Sequence, residues 1–216
     1  MPGSADRSRV IVFAKAPRPG SAKTRLIPLL GADGAASLHA RLLEHTLITA
    51  RSADVGPVEL HGTPAGDELL VGCALRHGVR LLDQAEGDLG DRMRHAFEQA
   101  LREVSSVLLI GSDCPPLRAR HLRDARRALA EGCDAVFVPT ADGGYALIGL
   151  TRVHASVFSG VPWSTRSVMA ATRARLETLG WRRLELETLW DVDTPEDYGR
   201  LVQSGLLDAC EAPHAL

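Results

Sequence analysis

Aromatic side chains are scarce in this sequence, and neither sign of charge predominates. Phe, Trp and Tyr make up 4% of the 216 residues, and the formal net charge is −2 at pH 7. Proteins that bind polynucleotides commonly present stacked aromatic rings and a broad basic surface. Both features are missing here, so the composition argues against a nucleic acid polymer as partner.

Paired cysteines are missing as well. The four cysteines, Cys73, Cys114, Cys133 and Cys210, form no CxxC motif and show no metal-ligand spacing with the eight histidines. This pattern is typical of reduced thiols in the cytosol rather than of a disulfide framework. We therefore expect a cytoplasmic protein with no structural zinc site.

Long hydrophobic runs do not occur. No apolar run approaches the roughly 18 residues that a membrane-spanning helix needs. Residues 1–9 also lack the apolar segment of a secretory signal peptide. We expect no membrane partner.

The chain does contain a regular alternation of short β-branched runs and amphipathic segments. This alternation predicts an α/β fold with a Rossmann-like, mostly parallel sheet flanked by helices. The predicted strands cover residues 10–14, 58–62, 79–83, 107–110, 135–138, 145–150 and a stretch near 181–189. The predicted helices cover residues 33–51, 66–77, 89–104, 118–131, 164–179 and a last segment from Pro195.

Four cations with no acid between them follow the first predicted strand. They are Lys15, Arg18, Lys23 and Arg25, and a predicted helix comes next. In an empty loop they would repel one another by about 4 kcal/mol per close pair near a protein surface. The cluster therefore favours a phosphate ligand, which Gly20 would help the backbone to approach. The alternative is a solvated basic turn.

The same loop is not a Walker A motif. Ala22, rather than Gly, precedes Lys23, and the required spacing to an earlier glycine is absent. A P-loop kinase or NTPase is therefore disfavoured. Lys23 would bind phosphate oxygens as a point charge and Arg25 with its planar fork.

An aspartate follows the strand predicted at 107–110. Asp113 would lie at the carboxyl edge of the sheet, where open α/β folds bind ligands. Pro115 and Pro116 stiffen the chain behind it. A carboxylate held in this way suits a hard cation such as Mg²⁺ or Mn²⁺. The alternative, a cap for the helix at 118–131, places the aspartate too far ahead of that helix.

Two further aspartates lie ahead of the last helix. Asp191 and Asp193 alternate as on a strand, so both would point to one face. Asp193 is equally plausible as the helix N-cap, whereas Asp191 has no capping task. Mg²⁺ that carries phosphates usually takes one or two protein carboxylates, which Asp113 and Asp193 would supply together.

An Asp-Gly-Gly-Tyr segment precedes the strand predicted at 145–150. Gly143 and Gly144 would let a ligand approach the backbone, with Asp142 and Tyr145 on either side. Asp-Gly-Gly is also an ordinary hairpin turn. Both interpretations can hold at once.

A second glycine-containing segment, Gln84 to Met93, precedes the helix predicted at 89–104. Exposed backbone NH groups at such a helix start can bind a base or a sugar. Taken alone, Gln84 and Gly87 are a weak signal for a nucleotide site.

Six ordered motifs together resemble the DUF2064 family over nearly the whole chain. They are VIVFAKAPRPGSAKTRL, QAEGDLGDRM, GSDCPPL, PTADGGYALIGL, VPWSTRSV and DVDTPEDY. Members of that family are described as GT-A-type glycosyltransferases, some linked to arsenosugar biosynthesis. The resemblance implies a nucleotide-diphospho-sugar transferase (GT-A) fold, with Asp113 in the place of the metal-binding aspartate and Asp193 as a second ligand.

The chain is also similar to the guanylyltransferases that act on phospholactate or phosphoenolpyruvate in deazaflavin-cofactor synthesis. A more distant similarity links it to the molybdenum-cofactor nucleotidyltransferases. The shared features are the basic loop, the Asp-x-Pro turn, the Asp-Gly-Gly segment and DVDTPED. Those enzymes use the basic loop for a triphosphate.

These resemblances and the residue chemistry together assign expected roles. We expect catalytic roles for Lys23, Arg25 and Asp142, with Asp142 as the base. We expect the nucleotide to contact Ala14, Lys15, Pro17, Gly20, Lys23, Arg25, Gln84, Gly87 and Asp113. We expect the acceptor to contact Gly143, Gly144, Tyr145 and Trp163, and a metal ion to contact Asp113, Asp193 and Asp191.

The expected activity is sugar transfer from a nucleotide-sugar to a small-molecule acceptor, with Mg²⁺ or Mn²⁺ as cofactor. Nucleotidyl transfer with release of pyrophosphate and a non-catalytic nucleotide-binding module are the alternatives. We expect flexible ends at residues 1–8 and 208–216 and one domain at residues 9–207. Its residues 9–139 would bind nucleotide and residues 140–207 the acceptor. A homodimer is a candidate assembly.

Overall fold

The computed structural model describes residues 8–207. Its strands are β1 (Ser8–Lys15), β2 (Val58–Thr63), β3 (Arg80–Asp83), β4 (Ser106–Gly111), β5 (Ala135–Pro139), β6 (Tyr145–Leu150) and β7 (Arg183–Glu185). Its helices are α1 (Ile27–Ser52), α2 (Glu68–His77), α3 (Leu89–Ala100), α4 (Ala119–Ala130), α5 (Val168–Thr178) and α6 (Pro195–Ser204). The flexible ends predicted at 1–7 and 208–216 lie outside the described residues, whereas Ser8, predicted to be flexible, opens β1.

The seven strands form one sheet in the order β3-β2-β1-β4-β6-β5-β7. Strand β6 is antiparallel to both of its neighbours, and every other neighbouring pair is parallel. The prediction of a mostly parallel sheet in an α/β fold is therefore confirmed. Because β6 lies between β4 and β5, the two predicted halves of the chain share this sheet.

Helices cover both faces of the sheet because successive side chains of a strand point to opposite faces. In β1, Val10 and Val12 pack in a core with α1, α2 and α4. Ile11 and Phe13 pack on the other face, in a core that includes Phe97 of α3 and part of α5. The sheet is thus buried between two layers, and functional side chains are left to its edges.

A third apolar cluster fixes the loop that follows β7. Trp190 and Val192 of this loop pack with Leu26, just before α1, with Leu38 of α1 and with Leu201 of α6. This packing holds the segment between β7 and α6 against the segment between β1 and α1. The basic loop and the last pair of predicted metal ligands are therefore neighbours.

Element boundaries differ from the predicted ones at a few places. Strand β7 is much shorter than the stretch predicted at 181–189, because it is an edge strand that pairs only with the start of β5. Helix α1 begins earlier than predicted, with Pro28 in its first turn and a break at Gly31, whose φ is 71°. Within residues 8–207, no helix combines the length and the hydrophobicity that crossing a bilayer requires.

Replacing Phe97 by alanine is expected to destabilise the protein by about 3–5 kcal/mol, since a large side chain would leave a cavity. Phe97 is fully buried, and its ring centroid lies 5.9 Å from that of Phe158. Urea unfolding followed by circular dichroism would measure the loss. Leu75→Ala is the control, because Leu75 is 77% exposed and its loss should change stability by less than about 0.5 kcal/mol. Equal effects of the two variants would contradict this account of the core.

Candidate active site

A cleft of about 370 Å³ opens at the carboxyl edge of the sheet. It is formed by the segments that follow β4, β5 and β7, together with the loop that precedes α5. Four carboxylates and one guanidinium line it: Asp113, Asp142, Asp191, Asp193 and Arg25. Further lining residues include Leu89, Thr140, Gly144, Tyr145, Trp163 and Thr165. The cleft therefore carries far more acid than base on its walls.

Lys23 lies at the base of this acidic group. Its side chain is 3% exposed, and its Nζ lies 3.0 Å from Asp113 Oδ1 and 3.7 Å from Asp193 Oδ1. The same ammonium donates a hydrogen bond of 2.5 Å to the backbone oxygen of Val192. Val192 N in turn donates to the backbone oxygen of Asp113 at 2.9 Å. Three distant segments of the chain therefore meet at one buried positive charge.

Asp113 is held as a carboxylate in this setting. Burial alone would raise its pKa, but Lys23 and His39 outweigh burial and hold the pKa of Asp113 well below its usual range. Oδ1 is buried and makes no well-formed hydrogen bond, whereas the side chain as a whole is 43% exposed. The exposed part of the carboxylate therefore faces the cleft as an anion.

His39 is a contributor that the sequence analysis did not identify. Its Nδ1 lies 3.5 Å from Asp113 Oδ1, and its Nε2 shares a hydrogen bond of 2.9 Å with the backbone oxygen of Lys15. The imidazole thus connects the end of β1 to the aspartate after β4. The feature of the sequence that could have indicated this role is a histidine within the apolar stripe of α1, beside the buried Leu38 and Leu42.

A second pair of carboxylates lies across the cleft. Burial and the neighbouring charge of Asp142 raise the pKa of Asp191 to about 6. Asp142 itself is fixed, because its Oδ1 accepts hydrogen bonds from Gly144 N at 3.0 Å and from Thr140 Oγ1 at 2.5 Å. The two aspartates therefore repel each other in the absence of a counter-charge.

These observations fit a divalent metal ion. Asp113 is ionised and partly exposed to the cleft, and Asp191 faces the negative charge of Asp142. Carboxylate oxygens in this number are the ligands that Mg²⁺ and Mn²⁺ prefer. The donor set is therefore chemically suitable for such an ion.

The alternative role of Asp193 as a helix N-cap does not apply. Thr194 is the N-cap of α6, and it forms a capping box with Asp197. The Asp193 carboxylate instead contacts Lys23 and forms an ion pair with Arg25. Residues 191–193 form no regular strand, yet both Asp191 and Asp193 reach the cleft.

The expected repulsion among the four cations of the basic loop was wrong. Lys15 Nζ donates to the backbone oxygen of Ser21 at 2.9 Å, and Arg18 pairs with the buried Asp67. Lys23 and Arg25 pair with the aspartates described above. The compensating acids come from distant parts of the sequence, so the loop alone could not reveal them.

Several residues expected to bind nucleotide lie beside the cleft rather than on its walls. Of that set, Arg25 and Asp113 line the cleft, and Lys23 lies beneath it. Ala14 and Lys15 are the last residues of β1, Pro17 and Gly20 follow it, and Gln84 and Gly87 follow the end of β3. Gln84 Nε2 donates to the backbone oxygens of Ala14 and His61, at 3.2 and 2.8 Å, so these two loops meet at the same sheet edge.

The residues expected to bind the acceptor divide in a similar way. Gly144, Tyr145 and Trp163 line the cleft, and the buried Nε1 of Trp163 has no hydrogen-bond partner among residues 8–207. Gly143 does not line it. Its φ is 93°, and a Cβ there would lie 2.1 Å from the backbone oxygen of Arg166. Gly143 therefore allows the turn to pack against the segment before α5, and this is a structural role.

Cys114 also lines the cleft but is not a candidate nucleophile. Burial raises the pKa of its thiol to about 12, and the negative charges of Asp191 and Asp113 act in the same direction. A thiol with such a pKa is almost fully protonated near neutral pH, whereas the thiolate is the reactive form.

The family of this chain follows from a sequence-family comparison. Residues 46–165, more than half of the chain, match the model for DUF2064, described as an uncharacterized protein conserved in bacteria. The chain belongs to the DUF2064 family. No curated protein matches this DUF2064 chain.

Solved structures show the same fold. A candidate nucleotide-diphospho-sugar transferase from Desulfovibrio desulfuricans G20 is 29% identical, with a TM-score of 0.84, and the match covers 92% of this chain and 87% of that one. A CMP:2-keto-3-deoxy-manno-octonic acid synthetase complexed with CTP is 14% identical, with a TM-score of 0.61 and coverage of 95% and 100%.

A third structure is glucosyl-3-phosphoglycerate synthase from Mycobacterium tuberculosis, in complex with Mn²⁺, UDP and glucosyl-3-phosphoglycerate. It is 13% identical, with a TM-score of 0.57, and the match covers 98% of this chain and 82% of that one. The expected GT-A fold is thereby confirmed. This DUF2064 chain has the fold of nucleotide-using transferases.

Replacing Asp191 by asparagine is expected to flatten part of the pH dependence of stability. A carboxyl whose folded pKa is raised stabilises the fold below its ordinary pKa of 3.8, and this contribution is lost as the pH rises to about 6. The melting temperature of Asp191→Asn minus that of wild type should therefore increase from pH 4 to pH 6 and then level off. Thermal unfolding in EDTA would measure it.

Asp33→Asn is the matched control, since Asp33 is exposed on α1. Its melting temperature should follow that of wild type across the same range. A pH-independent difference between Asp191→Asn and wild type would contradict the raised pKa.

Proposed function

We propose that this protein is a metal-dependent glycosyltransferase that moves a sugar from a nucleotide-sugar donor to a small acceptor. The observation that carries the proposal is the convergence of Asp113, Asp142, Asp191 and Asp193 with Lys23 and Arg25 at one cleft. The cleft lies at the carboxyl edge of a mostly parallel sheet, where open α/β folds bind nucleotides.

Asp113 and Asp193, with Asp191 beside them, are the proposed ligands of Mg²⁺ or Mn²⁺. A bound ion would supply Lewis-acid charge for the diphosphate leaving group. The cations of the chain support the same chemistry. Once the carboxylates hold a metal ion, Lys23 and Arg25 are no longer needed as their counter-charges and can stabilise oxygens of the departing diphosphate.

The opposite wall is proposed to hold the acceptor. Tyr145 and Trp163 supply apolar surface. Asp142 is exposed and held in place by Gly144 N and Thr140 Oγ1. Its position suits a general base that takes the proton of an attacking hydroxyl.

Two of the structural comparisons are in line with sugar transfer. The DUF2064 chain shares 29% identity with the candidate nucleotide-diphospho-sugar transferase over nearly its full length. The more distant synthase with the same fold was solved with Mn²⁺, UDP and a glucosylated product. A cytosolic site of action is proposed too, in line with the free, buried Cys73, Cys114 and Cys133.

Nucleotidyl transfer is the second candidate, and the basic loop favours it. Lys15, Arg18, Lys23 and Arg25 within eleven residues would suit the longer triphosphate of an NTP. An acceptor phosphate would attack the α-phosphorus and pyrophosphate would leave, without a protein base. The synthetase solved with CTP has the same fold.

One assay separates these functions. The purified protein is supplied with Mn²⁺ or Mg²⁺ and, separately, with each common nucleotide-sugar and each nucleoside triphosphate. Release of nucleoside diphosphate from a nucleotide-sugar, dependent on metal and acceptor, is the expected result. Pyrophosphate release from a triphosphate would establish nucleotidyl transfer instead. Saturable binding without turnover would leave a non-catalytic nucleotide-binding module.

Replacing Asp113 by asparagine is expected to abolish metal-dependent nucleotide binding, because it removes the central anionic ligand. Isothermal titration with nucleotide in the presence of Mn²⁺ would measure the loss. Asp124→Asn is the matched control, since Asp124 forms an ion pair with Arg127 on α4 and does not line the cleft. Unchanged affinity in Asp113→Asn would rule out the metal role.

Lys23→Met is expected to lower kcat by about 10²–10³-fold, the usual effect of losing one preorganised charge-stabilising donor. Its nucleotide affinity should fall less than its turnover, since the ammonium acts mainly on charge that develops during the reaction. Steady-state kinetics would separate kcat from KM. A change confined to KM would indicate a binding role only.

A further inference from the structure

Three side chains with metal-binding atoms meet between α1 and α2, outside the cleft. Glu44 of α1, Cys73 and His77 of α2 each offer one ligand atom, and these atoms all lie within 4.8 Å of one another. Cys73 and His77 are four residues apart in a helix and therefore share one side of it. The expectation that no cysteine has metal-ligand spacing with a histidine was wrong, because the i, i+4 spacing on α2 is such a spacing.

The chemistry of the three groups favours zinc over Mg²⁺ and Ca²⁺. A thiolate, an imidazole and a carboxylate are all established zinc ligands, at about 2.3, 2.0 and 2.1 Å from the ion. Two ligands of a tetrahedral site then lie about 3.3–3.6 Å apart. The hydrogen-bonded Glu44 and His77 atoms would have to move apart by roughly 1 Å, and wider pairs would have to close by a similar amount. Mg²⁺ and Ca²⁺ prefer all-oxygen sites and do not suit this set.

The surroundings of Glu44 resemble the outer sphere of a metal site. Its Oε1 accepts hydrogen bonds from Arg76, one of them from Nε at 3.2 Å, while Oε2 contacts His77 Nε2. Arg76 thus holds Oε1 of Glu44, while Oε2 lies within the cluster. Ligating carboxylates are characteristically oriented in this way.

Without a metal ion, Cys73 is a thiol. Burial and the nearby Glu44 carboxylate raise the pKa of the Cys73 thiol to about 12. Arg76 offsets the charge of Glu44 and, by its position, would also offset that of a thiolate. The side chains of Glu44 and His77 are 28% and 12% exposed, so an ion can reach the cluster from solvent.

We propose that Glu44, Cys73 and His77 bind Zn²⁺, with water as the fourth ligand. The ion would link α2 to α1. Glu44 lies five residues after His39 on α1, about 7.5 Å along the helix axis, so this site is separate from the proposed nucleotide-metal site. The alternative is a hydrogen-bonded ion-pair network that holds no metal.

Cobalt spectroscopy distinguishes these two cases, since Co²⁺ adopts zinc geometries and a thiolate ligand gives it a near-ultraviolet charge-transfer band. The full-length protein is stripped with EDTA, dialysed and titrated with Co²⁺. We expect a thiolate band that saturates at one equivalent and that one equivalent of Zn²⁺ removes. An excess of Mg²⁺ should leave the band unchanged.

Variants then assign the ligands. Cys73→Ala should lose the thiolate band, and His77→Gln and Glu44→Gln should bind Co²⁺ more than about 100-fold more weakly, beyond the effect typical of a lost outer-sphere group. Cys133→Ala is the matched control and should retain the band, because Cys133 lies buried after α4. Asp113→Asn should retain it as well, which keeps the result independent of the proposed function.

Absence of a thiolate band in the wild-type protein would overturn the proposal, as would a band that persists in Cys73→Ala. Far-ultraviolet circular dichroism would show that each variant is folded. If Cys73→Ala does not fold, His77→Gln is the milder test, because the His77 side chain is partly exposed. Unchanged Co²⁺ affinity in His77→Gln would likewise overturn the assignment.

Discussion

The ion contacts of Lys23 are the interaction on which the architecture of the cleft depends. An ammonium with almost no solvent exposure is costly unless carboxylates compensate it, and breaking such a buried pair typically costs about 3–5 kcal/mol. Asp113 and Asp193 provide the compensation, and the backbone oxygen of Val192 accepts a hydrogen bond from the same group. The charge requirement of one side chain thereby fixes the loops after β1, β4 and β7 relative to one another.

The same balance explains how a site so rich in acid remains folded. Asp113 and Asp193 pair with cations of the basic loop, whereas burial and the negative charge of Asp142 raise the pKa of Asp191. A folded protein tolerates such unfavourable interactions between charges where function requires them. A cation bound beside Asp191 would relieve the repulsion between Asp191 and Asp142.

Much of the fold could be predicted from local patterns. Strand β6 has the bounds expected from its apolar run, and β1, β2, β4 and β5 each differ by one or two residues at either end. Short buried strands and amphipathic helices repeat with regular periods, so local sequence is sufficient for them. Asp113, Asp142 and Asp191 could be placed at the sheet edge because each follows a strand or its extension.

Other features depend on contacts between distant residues, which no local pattern records. Asp67 pairs with Arg18, His39 reaches Asp113, and neither pair is visible in a window of sequence. The short β7 and the break at Gly31 likewise reflect tertiary packing rather than propensity. Cys73 and His77 share one side of α2, but Glu44 joins them from another helix, so this cluster is not visible in a window of sequence either.

The position of β6 limits how the molecule can move. A strand from the second half of the chain is hydrogen-bonded on both sides to strands of the first half. A hinge that swings two lobes apart would have to break those ladders, which is far more costly than rearranging a surface loop. Access to the cleft is therefore governed by the segments at its rim, such as the one that carries Trp163, while the floor beneath them stays rigid.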